Sequence, residues 1–363
     1  MFADVIGQER AVENLRSASE RPSHAYLLVG PRGSGVVDAA RDFAALLIGV
    51  EHDERGRRLV RRALHPDVVE FEPKGSTYLV DEVRNRILPE AMRAPIEADR
   101  RVLILFEAER LGGAGVRNES ANAMLKTLEE PPPRTIVLLV TAAADDLLPT
   151  IRSRCQRIDF DLVTDDTLLE VLEREGIRSD VAVTAVALSG GQLARARALA
   201  GPLAPMRAAF ASAASRVDGT GATAFALAEE LNAAVEEAAE QVTQAHADEL
   251  RELEAELERL GYDERGADQL RRRIEDRQKR EVRRARIDLM LEGVTALETV
   301  FRDALADPAP PLNQDRPRVV LAPRSAAAAL DVCREAREAI LINEKGLVRL
   351  THLLLSLPPS RAG

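Results

Sequence analysis

Gly30-Pro31-Arg32-Gly33-Ser34-Gly35-Val36-Val37 is the stretch that decides how this chain folds. Its glycines have the spacing of a Walker A phosphate loop, in which a strand hands over to a helix and backbone N–H groups cradle phosphate. The pattern then requires Lys and Ser or Thr: the Lys meets the β- and γ-phosphates, and the hydroxyl holds Mg²⁺. Here those places are Val36 and Val37, which can do neither. The apolar run Ala25–Val29 precedes the loop, and Ala39, Ala40, Phe43, Ala44 and Leu47 follow it at helical spacing. That context predicts a phosphate-loop fold; the residues alone also allow a glycine turn that merely joins strand to helix. Gly30, Gly33 and Gly35 are the candidates for a weak residual nucleotide or anion contact. Asp38 works against such a contact, and Arg32 offsets part of that.

Working outward, Val68–Phe71, Val102–Phe106 and Ile136–Thr141 are further strand-like runs, with helical segments between them. The alternation predicts a mostly parallel sheet covered by helices over residues 1–162. The charged stretch Glu51–Arg62 reads as a helix or a loop. A second nucleotide-handling element would be an apolar strand ending in carboxylates. Val102–Phe106 instead places Phe106 where the metal-organising Asp is expected, ahead of Glu107-Ala108-Glu109. Without that Asp and the loop Lys, Glu107 reads as a structural or vestigial group. Ser120–Pro133 predicts a helix with Ala121, Met124, Leu125 and Leu128 on its apolar face, stopped by three prolines. Thr150–Cys155 sets Arg152 and Arg154 beside a cysteine. On the residues alone this is a surface patch, or an arginine able to meet phosphate across an interface.

Residues 163–203 predict a small helical bundle, with Thr164 or Asp165 as a cap and Gly190-Gly191 parting two helices. Residues 204–363 read as all helix. Between about 235 and 290, leucines at three- and four-residue steps amid Glu and Arg predict an antiparallel charged hairpin, interrupted at Gly261 and Gly266. A Pro-rich loop, Asp307–Pro317, leads to helices Ala326–Ala339 and Lys345–Leu357.

The sequence has 363 residues, a net charge of -10 and no Trp. The acidic balance argues against a whole-surface nucleic-acid clamp and leaves a local basic face open. Two cysteines and five scattered histidines predict neither a disulfide framework nor a zinc site. No signal peptide and no apolar stretch of the roughly 20 residues needed to span a bilayer is legible, so the expectation is a cytoplasmic protein without a membrane partner.

Five motifs in order carry a resemblance: Phe2–Gln8, His24–Leu27, His65-Pro66-Asp67, Ser120–Pro133 and Ser153-Arg154-Cys155. With them, residues 1–162 resemble the bacterial clamp-loader family of AAA+ proteins, the δ′ type of DNA polymerase III in particular. The resemblance is fair to about residue 205 and faint beyond, where Leu341-Ile342-Asn343 and the last leucine-rich helix are similar to the family's collar. It implies an AAA+-like α/β domain over 1–162, a helical lid over 163–203, and an all-α collar over 204–363 carrying the inserted hairpin. Thr141 matches the sensor 1 position, and Ala194 stands where a sensor 2 Arg is expected. Missing Lys, metal Asp and sensor Arg together imply no intrinsic ATPase and no cofactor. In this family the arginine of the Ser-Arg-Cys motif acts in trans on ATP held by a neighbour, which gives that role to Arg154. The implied partners are the γ/τ motor subunits and δ, and through the complex the sliding clamp and primer-template DNA. Family members commonly carry a four-cysteine zinc module before His65; Ile48–Leu64 has no cysteine. The rival readings are a working motor subunit or helicase-loader-type AAA+ ATPase, and a DNA-binding or coiled-coil adaptor built on residues 235–290.

Overall fold

The computed structural model describes residues 1–3, 5–31, 33–73, 75, 77–112, 118–260, 264–306, 309–342 and 346–359. Side chains are described for the same residues except 241, 242, 245, 248, 249, 252–267, 269, 270, 273, 276, 277, 280 and 342. Arg32, Gly261, Asp307, Asn343 and Lys345 therefore lie outside the described residues, as do the side chains of Val242, Leu253, Leu257, Leu260 and Leu270. The chain divides into two compact units, one of Met1–Leu172 with Ser189–Ala196 and one of Glu173–Leu188 with Arg197–Gly363.

The first unit is built on a five-stranded sheet ordered β2-β3-β4-β1-β5. Its strands are β1 (Ala25–Val29), β2 (Val68–Phe71), β3 (Arg101–Leu105), β4 (Thr135–Thr141) and β5 (Gln156–Asp159). All the pairings are parallel. Residues of β3 and β4 are buried along their whole length, as expected where helices cover both faces of a parallel sheet. Alternation sorts the side chains: Tyr26 and Leu28 face the cluster holding Val36, Ala40 and Phe43, and Ala25 and Leu27 face the one holding Val83, Met124 and Leu128. Two strands begin one residue earlier than the apolar runs suggested, at Arg101 and Thr135, and Phe106 falls just outside β3. β5 has only Ile158 buried, so it carries no apolar run to announce it; it is an edge strand fixed by register, Tyr26 opposite Gln156 and Val29 opposite Asp159.

Local chemistry explains the helix starts. The stretch at Glu51–Arg62 forms helix Glu54–Arg61, where the Asp53 carboxylate accepts the N–H groups of Arg55 and Gly56, each at 3.0 Å. Thr164, one of the two caps expected, accepts the Thr167 N–H at 3.4 Å before helix Asp165–Arg174. The specific string at Ser120–Pro133 becomes helix Glu119–Glu129.

The second unit is helical, with Ala204–Arg216, Gly221–Leu260, Glu264–Leu305, Pro323–Ile342 and Gly346–Ser356 as its main pieces. Its core gathers Phe210, Leu231, Val294, Leu297, Phe301, Leu350 and Leu354. The hairpin arms are longer than the sequence suggested, 40 and 42 residues. Their roots join the core through residues up to Ala239 and from Leu289 onward. Gly266 does not interrupt an arm; it lies in the first turn of the second one, where a glycine costs little helical bonding. Farther out, Gln278 donates to the His246 carbonyl at 3.0 Å, and His246 lies 2.9 Å from Glu281.

Candidate functional site

β1 ends at Val29, and the glycine loop turns away from the sheet. Gly30 N–H donates to the Thr141 carbonyl at 3.0 Å, tying the root of the loop to the end of β4. Gly33 and Gly35 hold φ of +80° and +86°, the left-handed region that costs glycine least. Gly35 directly precedes helix Val36–Leu47. The glycine pattern thus builds the loop it promised.

The contents of the loop differ from those of a working site. Val36, in the Lys place, is 3% exposed and packs in the apolar cluster with Phe2 and Val5, while Val37 is 38% exposed. A Cβ built on Gly33 would lie 3.0 Å from both Cβ and Oε1 of Gln192, so the Gln192 side chain rests against the loop. At the end of β3, Phe106 is buried, and the Arg41 guanidinium stands 5.6 Å from its ring centroid. Arg41 in turn grips Glu70 with two hydrogen bonds of 2.9 and 2.8 Å. Glu107 adopts φ +51° and pairs with Arg110 at 2.9 Å. Thr141 is buried; its hydroxyl donates to Glu109 Oε2 at 2.7 Å and accepts the Ala143 N–H at 3.1 Å. A magnesium nucleotide requires a cation at the phosphates and a hydroxyl and a carboxylate at the metal. Two valines, a phenyl ring under a guanidinium, and a threonine engaged by Glu109 do not fit that ligand. Ala194 is exposed on helix Leu193–Ala200 and carries no charge.

Arg154 lies in the turn between the short helix Pro149–Arg152 and β5, just ahead of the first residue of the strand that pairs with β1. Its side chain is 33% exposed. Nη1 donates to the Thr150 carbonyl at 2.7 Å, and Nη2 meets Glu129 Oε1 at 2.5 Å. Arg152 has a different partner, Asp145, at 2.5 Å. Burial pushes the neighbouring Cys155 thiol up to about 12, which keeps it protonated and a poor nucleophile or metal ligand.

The other singled-out motifs turn out to brace the unit. Asp67, fully buried, accepts the N–H groups of Ile96, Glu97 and Ala98 at 2.6 to 2.8 Å and has Arg101 at 3.6 Å. His65 Nδ1 accepts the Asp67 N–H at 3.1 Å. Gln8 clamps Asp161, donating to its carbonyl and accepting its N–H. Sequence reasoning missed the roles of Gln192, Arg41, Glu109 and Glu129, since each acts through a residue distant in sequence; Glu109 carried a signal as part of the strand-end carboxylate run, and Glu129 as a member of the specific string.

A parallel β2-β3-β4-β1-β5 sheet with a glycine loop between β1 and its helix defines an AAA+-like phosphate-loop domain. Within that class, residues 7–164 match the family described as DNA polymerase III, delta subunit. The chain is 35% identical over 178 residues to DNA polymerase III subunit tau of Bacillus subtilis, covering 46% of this chain and 30% of that protein. It is 34% identical over 207 residues to subunit gamma/tau of Mycobacterium tuberculosis (52% and 34%). It is 31% identical over 163 residues to subunit delta′ of Pseudomonas aeruginosa (42% and 48%). The matched stretches thus span between 30% and 48% of these relatives' own length. Among solved structures, a gamma subunit-related protein of Thermotoga maritima covers 95% of this chain and 97% of its own at 17% identity and a TM-score of 0.46, a likeness too distant to carry an argument. Residues 7–164 are therefore similar to clamp-loader subunits of DNA polymerase III, of the δ′ and γ/τ kinds alike.

Proposed function

We propose that this chain is a non-hydrolysing, δ′-type subunit of a DNA polymerase III clamp loader. It stands beside γ/τ motor subunits and δ in an assembly that opens a sliding clamp and sets it on primed DNA. It binds neither zinc nor a hydrolysable nucleotide of its own. Arg154 acts in trans on ATP held by a neighbouring motor subunit. The observation that carries this reading is the apolar seating of Val36: the position that would bear the phosphate cation is part of the core, so the loop serves as architecture. Arg154, by contrast, keeps a guanidinium at the surface, where a planar fork can meet phosphate oxygens bidentately. Residues 163–203 act as the lid and 204–363 as the collar. Leu341, Val348 and Leu355 are exposed apolar side chains at the end of helix Pro323–Ile342 and along helix Gly346–Ser356, a surface suited to collar contacts with other subunits.

The test is reconstitution with motor and δ subunits. Arg154→Ala should assemble normally and lower clamp- and DNA-stimulated ATP turnover only in part, since the other sites in the ring keep their own arginines. Lys at 154 should rescue poorly, because an ammonium lacks the fork. Wild-type turnover by an assembled Arg154→Ala complex would make Arg154 a plain surface residue. One observation favours a second reading: the relatives include γ/τ subunits, so a motor with an unusual loop is the rival, and ATP turnover by the isolated chain would support it.

A further inference from the structure

Helix Glu119–Glu129 arises from the most distinctive string in the sequence, yet nothing in the trans-arginine reading so far uses it. Its two ends are fastened differently. At the start, Ser120 Oγ donates to the Tyr78 carbonyl at 2.7 Å, and the Tyr78 hydroxyl sits between the carbonyls of Phe71 and Phe106 at 2.9 and 2.6 Å. Its inner face is locked by Ala121, Met124 and Leu128, all buried. At the other end Pro131, Pro132 and Pro133 forbid another turn, so Glu129 is the last helical residue. That carboxylate meets Arg154 Nη2 at 2.5 Å while the Thr150 carbonyl takes Nη1 at 2.7 Å.

We propose that Glu129 is the positioning residue for Arg154. A free arginine side chain has many rotamers, and holding one of them for an incoming phosphate costs conformational entropy. Two acceptors on different elements remove that freedom in advance. One belongs to a rigid helix end, the other to the arginine's own turn. Each takes one of five N–H donors, which leaves donors on the guanidinium for phosphate oxygens. The carboxylate is half exposed (47%), so the pair does not hold the fold together and its value lies in orientation. The stop after Glu129 matters for the same reason, since a helix running on would carry the chain past the arginine.

This inference rests on the trans-acting role of Arg154, and a double-mutant cycle in the reconstituted complex separates the two. Four complexes are compared for kcat and KM of clamp- and DNA-stimulated ATP turnover: wild type, Glu129→Gln, Arg154→Ala, and both changes together. Glu129→Gln should lower kcat by about three- to fivefold, the scale one exposed ion pair sustains, with KM for ATP nearly unchanged. It should have no further effect when Arg154 is already Ala, and Glu129→Asp should recover part of the loss. If Arg154→Ala slows turnover and Glu129→Gln does not, the positioning role is wrong and the trans-arginine reading stands. An equal loss from Glu129→Gln with and without Arg154 also overturns it, because the effect then does not pass through the arginine. If Arg154→Ala itself changes nothing, both fall together.

Discussion

At Val36 the place of a phosphate-binding ammonium is taken by a methyl-bearing side chain buried in the apolar cluster that also holds Phe2 and Val5. Val36→Lys must bury its stem there and snorkel or desolvate its charge, at a cost of about 1–3 kcal/mol. Val37→Thr, on the exposed side of the same turn, should stay within about 0.5 kcal/mol. Urea denaturation of the two variants checks the contrast, and equal midpoints would mean that Val36 is not seated as described. His65 gives a pH-dependent counterpart. Burial pushes its imidazole below the usual range, against the opposing pull of Asp67, and its Nδ1 accepts a hydrogen bond in the neutral form. With a folded pKa below the unfolded value of about 6.5, the unfolded chain takes the proton first. Stability from this group is therefore present above pH 6.5 and lost as pH falls through the folded pKa. Wild type should lose more stability between pH 7 and pH 5 than His65→Asn, measured by the same urea midpoints. An equal loss in both would remove His65 as the cause.

Among the elements, the root of the second hairpin arm, which carries Gly293, and the outer part of the same hairpin make opposite demands on sequence change. A Cβ at Gly293 would sit 2.4 to 2.6 Å from the Phe210 ring. Alanine normally favours a helix over glycine by about 1 kcal/mol, yet Gly293→Ala should destabilise the second unit by roughly 1–3 kcal/mol through overpacking. A raised melting temperature would refute that packing. The outer hairpin, by contrast, adds nothing to the main cluster, which stops at Ala239 and resumes at Leu289. Replacing residues 245–279 with a short Gly/Ser turn should leave the melting temperature within a few degrees and the far-ultraviolet spectrum lower only by the deleted turns; collapse of the second unit would show that the arms stabilise it. The elements also show what the sequence discloses and what it hides. β1 and β2 were legible to the residue, because apolar runs stop sharply at polar or glycine neighbours. β5 was not, since an edge strand with one buried side chain has no alternation to display. The glycine loop was legible as a loop, and the absent Lys as a loss. The Gln192 contact and the Glu129–Arg154 pair were not, because they join residues that only the folded sheet and its helices bring together.

At the scale of the whole molecule, one unit keeps the frame of a phosphate-loop domain and the other is a helical body on which Leu341, Val348 and Leu355 are exposed. No helix among the described residues is long and apolar enough to cross a membrane. On the proposed function, such a chain holds neighbours and lends them a charged side chain, while its phosphate loop is retained as structure and does no chemistry. Phosphate release by the purified full-length chain with magnesium and ATP tests this most directly, with Gly35→Asp as the control that spoils the loop. The account predicts only contaminant-level turnover, the same in wild type and Gly35→Asp; turnover that co-purifies with the wild-type chain and disappears in Gly35→Asp would contradict it.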